Sequence, residues 1–290
     1  MIKKILITLT VIILVILPFL VGIPMSKYSP YVETNSFETY VIIWALISIV
    51  FASLAGLSLK YYAQSFRNLF VGGLLLFLLV CPIAGIIGFA AAPDLSLKIL
   101  EHPEREHLRY IFLYIAAILF GIFFIILLRS NLVKTKKLSK WILTVVFILA
   151  FAEFIWQFTH HYLYPEALRE WITQGKNAEE FVKNYDNVSV INIGVLGRLF
   201  QFSLIIWLSL YLYKLQQIKI WSPILSIVLS LLGIVSATII YVTQMNIPKG
   251  FEILNLFFIP GMPFLILYWI GVALLTKSNV ILGDNLAKNS

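Results

Sequence analysis

Charged side chains are scarce in this sequence, because only 12% of its 290 residues are Asp, Glu, Lys or Arg. Soluble domains carry about 25% charged residues, whereas 60% of this chain is hydrophobic. A water-soluble core of this length could not hold that surplus of apolar side chains. The apolar residues form long runs rather than amphipathic stripes, which favours an all-α bundle of membrane-spanning helices.

Cysteine is nearly absent, since Cys81 is the only one in the chain. A single cysteine cannot form an intramolecular disulfide, and it offers no paired-cysteine zinc pattern. The sequence also lacks a Walker loop, a dinucleotide-binding glycine fingerprint and a haem-attachment motif. No cofactor and no metal site are therefore predicted, and Cys81 is expected to pack inside a hydrophobic run.

Eight hydrophobic runs are long enough to cross the ~30 Å hydrocarbon layer as helices, which takes about 20 apolar residues each. The chain is therefore predicted to be a single integral membrane domain, 1–290, with a polytopic transmembrane helix bundle. The first run has no cleavage site after it, so an uncleaved span is expected; removal as a signal peptide would leave seven spans. The predicted spans are 5–23, 40–59, 69–92, 108–128, 141–163, 191–213, 223–243 and 254–276.

The charged residues outside these runs are divided unevenly between alternate loops. Most lysines and arginines fall on the side that holds both termini, whereas 12 of the 14 acidic residues fall on the opposite side. The positive-inside rule therefore places both termini in the cytoplasm. This asymmetry and anionic lipid explain the net charge of +8 without nucleic acid. The lipid bilayer is the expected partner, and the expected location is the cytoplasmic membrane of a bacterium.

The longest predicted loop, 164–190, lies on the outer side and carries two amphipathic patterns. Pro165 suits the first turn of a helix that ends near Gly175. Asn177 and Glu180 have the spacing of a capping box for a second helix. Two short helices at the membrane surface are therefore predicted, and a lid over a cavity is the alternative interpretation.

Two ionisable residues, Glu153 and Arg198, fall inside predicted spans, where a charge costs about 2.5–3.5 kcal/mol at the helix centre. At 1.5 Å of rise per residue, each lies ~10 Å below the outer edge of the hydrocarbon layer. One loop joins the two helices, so they are expected to be neighbours and the two charges to pair. The pair is either a structural tie that holds the helices in register or part of a ligand or ion site.

Further polar residues extend the faces that carry these two charges. Gln157 and His160 follow Glu153 at i+4 and i+7, and Gln201 shares a face with Arg198. His161 is rotated by about 100° from the Glu153 stripe and is expected to face the membrane interface. The candidate ligand-binding residues are Glu153, Gln157, His160, Arg198, Gln201 and Asn255.

The last predicted span is interrupted near its outer end by Pro260, Gly261 and Pro263. Such a break at membrane depth usually lies against protein or a wet cavity. Together these features predict an outward-facing polar cavity that binds or transports a small molecule or ion. Glu153 would take a proton or cation, and Arg198 an anionic group.

Two other functions are compatible with the same pattern. One is an intramembrane enzyme that acts on a lipid or lipid-linked substrate, and the other is a membrane assembly or sensing partner. No residue is assigned a catalytic role, and a non-enzymatic function is favoured.

Overall fold

The computed structural model describes residues 97–129 and 137–288, with side chains as far as Leu274, together with Ile12, Val15, Ile16 and Leu46. Every regular element in the two long ranges is helical. Short 3-10 turns precede α1 and α7. The α-helices are α1 (Pro103–Arg129), α2 (Lys137–Tyr162), α3 (Tyr164–Thr173), α4 (Ala178–Tyr185), α5 (Val188–Lys214), α6 (Trp221–Thr243), α7 (Asn255–Phe258) and α8 (Gly261–Lys288).

Four helical stretches in these ranges are long and apolar enough to cross a membrane, and α7 with α8 gives a fifth candidate that is bent by 67°. The five coincide with the five predicted spans from 108–128 onward. The predicted spans 5–23, 40–59 and 69–92 lie outside the described ranges, apart from four single residues that are helical. The described part is therefore an all-helical protein with four or five candidate membrane spans.

Helix α5 is central, because it contacts α2, α6 and α8. Aromatic rings fill the space between α1, α2 and α8. Phe154 of α2 stacks on Phe264 of α8 with ring centroids 4.7 Å apart, and Phe120 of α1 meets Phe154 edge-on at 5.6 Å. Phe120 also meets Phe264 edge-on at 6.5 Å. These rings are almost completely buried, so the three helices pack together around them.

Small residues allow α6 to approach α5 closely. A Cβ atom on Gly233 of α6 would lie 2.2 Å from Cε2 of Phe202 on α5, which is too close for any side chain. Ser222, Ser226 and Ser230 are also buried on α6. Such faces bring helix backbones together in membranes, where no hydrophobic effect drives the association of helices.

Helices α3 and α4 occupy the segment in which the sequence predicts two short helices. Pro165 is in the first turn of α3, and Gly175 after it adopts a φ of 74°, a conformation that favours glycine. Asn177 caps α4 by accepting a 2.8 Å hydrogen bond from the backbone N–H of Glu179. Leu168 of α3 and Phe181 of α4 are buried in a small apolar core of their own.

Candidate functional site

Arg198 and Glu153 form the centre of a buried polar cluster between α5 and α2. Arg198 Nη1 donates a 3.1 Å hydrogen bond to Glu153 Oε2, and the two side chains are 0% and 4% exposed. The ion pair expected from their matching depths is therefore present. Gln157 and Gln201 complete the cluster, and the four residues are called the Arg198 hub below.

The guanidinium of Arg198 is bound through all three nitrogens. Its Nε donates to the backbone carbonyl of Phe258 at 2.9 Å. Its Nη1 also donates to Gln201 Oε1, and its Nη2 donates to Gln157 Oε1. These bonds, with the one to Glu153, use all but one of the five N–H groups that a guanidinium carries. An anionic ligand would therefore find little left to bind on Arg198.

The bend between α7 and α8 supplies one of the acceptors of Arg198. In a continuous helix, the Phe258 carbonyl would accept the N–H of residue 262. Here the N–H of Met262 donates to Ile259 O at 3.0 Å, and Pro260 has no N–H at all. The Phe258 carbonyl is consequently left to accept from Arg198. The interruption predicted in the last span therefore forms part of the hub.

The two oxygens of the Glu153 carboxylate have different surroundings. Oε2 accepts from Arg198 at 3.1 Å and from Gln201 Nε2 at 2.5 Å. Oε1 is buried and has no hydrogen-bond partner in the described part of the chain. Gln201 cannot turn freely towards Oε1, because its amide also donates to Ala150 O at 3.2 Å. A buried acceptor without a donor costs about 1–3 kcal/mol, which a proton, a cation or a ligand donor would recover.

The six candidate residues do not form a single site. His160 continues the stripe of α2 beyond the hub, and its Nε2 lies 3.0 Å from Oδ1 of Asp186, the residue after α4. Asn255 is exposed at the start of α7, so that segment contributes the Phe258 carbonyl instead of a side chain. Only Glu153, Gln157, Arg198 and Gln201 meet.

His161 points away from the hub and packs on α1, and the expectation that it faces the membrane interface stays a prediction. Its ring stacks on Tyr110 of α1 with centroids 5.7 Å apart and planes 16° from parallel. The rotation of His161 away from the Glu153 stripe can be read from helical periodicity, but the position of α1 on that side cannot. Sequence analysis did not identify Asp186, because a single acidic residue in a polar loop belongs to no pattern that indicates a site.

A second buried ion pair lies on α1, which begins at Pro103 and not at the predicted residue 108. Arg109 Nη1 donates to both oxygens of Glu106, at 3.0 and 3.2 Å, and the side chains are 4% and 2% exposed. Both oxygens of this carboxylate are therefore satisfied, unlike those of Glu153. Residues 103–107, which the sequence analysis placed in a loop, therefore add to the start of α1 and include Glu106.

Two polar arrangements are thus placed along α2. Seven residues separate Glu153 of the hub from His160, which corresponds to ~10 Å of helix rise. Both lie towards the end of the bundle that carries α3 and α4. No known protein family, curated protein or solved structure matches this chain.

Proposed function

We propose that this chain is a multi-pass protein of the cytoplasmic membrane that binds and transports a proton or small cation at Glu153. The buried Oε1 of Glu153, which has no donor among the described residues, carries the proposal. Ionisable groups inside membrane spans commonly mark ion pathways and proton relays, because their burial is otherwise costly. The distribution of lysine and arginine indicates that Glu153 is nearer the extracytoplasmic side of its span, which supports access of the ion from that side.

The bonding of Arg198 favours a cation over an anion as the ligand. Nearly all its N–H groups are committed to Glu153, Gln157, Gln201 and the Phe258 carbonyl. The rings of Phe154 and Phe258, with centroids 5.6 and 5.8 Å from Arg198 Cζ, also cover the guanidinium. Glu153 Oε1 is consequently the acceptor in the hub that a ligand can use without breaking an existing hydrogen bond.

The test is ion flux in proteoliposomes that contain the purified full-length chain and a dye sensitive to H⁺, Na⁺ or K⁺. After an ion gradient is imposed, wild type is expected to move one of these ions faster than protein-free vesicles. Glu153→Gln should lower that flux to the protein-free rate, because the amide keeps the shape of the side chain but cannot take up the ion as a carboxylate does.

Glu106→Gln is the matched control, because Glu106 is an equally buried glutamate whose two oxygens are both bound by Arg109. It should retain the wild-type flux even if it lowers the melting temperature. Equal flux of all three ions by wild type and Glu153→Gln would overturn the proposal. If Glu153→Gln were also less stable, the ion pair would then be purely structural.

A further inference from the structure

Two imidazoles and one carboxylate meet where the end of α2 faces the segment between α4 and α5. They belong to His160, His161 and Asp186, and one ligand-capable atom of each lies within 4.8 Å of the others. The cluster combines two sequence neighbours on α2 with a residue 25 positions further along the chain. All three side chains are half-buried, so a small ion can reach them.

Neighbouring rings hold both imidazoles in place. His160 lies between Trp156, with planes 4° apart, and Tyr185, whose ring centroid is 4.2 Å away. His161 stacks on Tyr110. The Tyr185 hydroxyl also donates a 2.6 Å hydrogen bond to the His160 carbonyl, which fixes the residue before Asp186 against α2. These contacts limit the rotation of both imidazoles and of the segment that carries Asp186.

A hydrogen bond between one histidine and one carboxylate accounts for only part of this arrangement. His160 Nε2 and Asp186 Oδ1 are 3.0 Å apart, which is an ordinary pairing. The second imidazole is not needed for that bond, yet its ring centroid lies 5.2 Å from that of His160. Two imidazoles and a carboxylate are a recurrent ligand set for divalent first-row transition metals.

We infer that His160, His161 and Asp186 bind a divalent transition metal, with Zn²⁺ as the best match. Tetrahedral Zn²⁺ with bonds near 2.0–2.2 Å needs ligand atoms about 3.3 Å apart. The ligand atoms of the three residues lie within 4.8 Å of one another, and His160 Nε2 and Asp186 Oδ1 are 3.0 Å apart. Small side-chain rotations would therefore bring all three to the separation that Zn²⁺ requires. Three protein ligands leave a fourth position open to water or another ligand.

This metal site adds to the sequence analysis, which predicts none, and it does not depend on the proposed function of Glu153. Its structural consequence follows from the position of Asp186 between α4 and α5. The metal would tie the α3–α4 segment to the end of α2.

The test is a titration of the purified full-length chain, free of any polyhistidine tag, with Co²⁺ and with Zn²⁺. Co²⁺ bound to histidine and carboxylate ligands gives visible absorption bands, and calorimetry reports the stoichiometry of Zn²⁺. Wild type is expected to bind one equivalent of each metal. His161→Ala and Asp186→Asn should each weaken binding at least about tenfold, as loss of a ligand or of its close support does.

His102→Ala is the matched control, because His102 also pairs with a carboxylate, Glu104 at 3.1 Å, but belongs to no group of three possible metal ligands in the described part of the chain. It should bind both metals like wild type. Metal should also raise the melting temperature of wild type and of His102→Ala, since a ligand that binds only the folded state stabilises it. Asp186→Asn should show a smaller rise at the same metal concentration.

The site would be overturned if wild type took up no stoichiometric Co²⁺ or Zn²⁺, or if Asp186→Asn bound them as tightly as wild type. Asp186→Asn keeps the size of the side chain at a half-buried position and is therefore expected to fold. It tests the metal site even if His161→Ala does not fold. These outcomes are independent of ion flux through Glu153, so either proposal can fail alone.

Discussion

Replacing Gly197 by alanine is expected to destabilise the protein by about 1–3 kcal/mol, the usual cost of forcing atoms into a packed core. A Cβ atom on Gly197 would lie 2.1 Å from Glu153 Cγ and 2.2 Å from its Cδ. Glu153 cannot simply move aside, because Arg198 and Gln201 bind its carboxylate. Gly197 therefore creates the space in which the buried carboxylate lies.

Gly194→Ala provides the control, since Gly194 is also on α5, about one turn earlier. A Cβ atom there would meet only Cζ of Phe258 at 3.5 Å, an ordinary contact. Alanine is favoured over glycine inside a helix by about 1 kcal/mol, so Gly194→Ala should be neutral or stabilising. The measurement is thermal unfolding of both variants in the same detergent. Similar melting temperatures would contradict the packing of Glu153 against Gly197.

The hub could be predicted from the sequence because it depends mainly on positions along two helices. Helical rise places Glu153 and Arg198 at the same depth, and a single connection between their helices makes them neighbours. Helical periodicity then adds Gln157 and Gln201 to the facing sides. These inferences need only the chain direction and the thickness of the membrane.

The rest of the site depends on contacts that no periodicity encodes. The Phe258 carbonyl became a ligand of Arg198 because the chain bends at Pro260, and a proline shows where a helix breaks but not which partner uses the freed acceptor. Asp186 reached His160 through the packing of α4 on α2. For the same reason, the stripe that contains His160 could not show that this residue would leave the hub.

The proposed ion site and the proposed metal site share α2 but differ in what holds them. Glu153 is buried between α2 and α5 and is 5% exposed, whereas the His160 cluster is half-buried and includes a residue from a connecting segment. A metal at the cluster would therefore hold the connecting segment against α2, and ion binding at Glu153 would change the charge of the buried hub.

Arg198→Met is expected to be the most damaging single change, with a loss of about 3–5 kcal/mol, because it leaves the Glu153 carboxylate buried without its partner. Methionine matches the unbranched stem of arginine, so the cost arises mainly from the lost charge and hydrogen bonds and not from a cavity. Oxygens of Gln157, Gln201 and Phe258 would also lose their donor, which makes the effect larger than that of a surface ion pair.

The double variant Glu153→Met with Arg198→Met measures how much of the stability loss comes from the interaction between the two charges. Each single change strands one buried charge, whereas the double change strands neither. The double variant should therefore be more stable than the sum of the two single losses implies, by about 0.5–3 kcal/mol, the range for residues in direct contact. The check is reversible unfolding of all four proteins in mixed detergent micelles. Additive losses would mean that Glu153 and Arg198 have no interaction energy, and the hub would then be a set of separate hydrogen bonds.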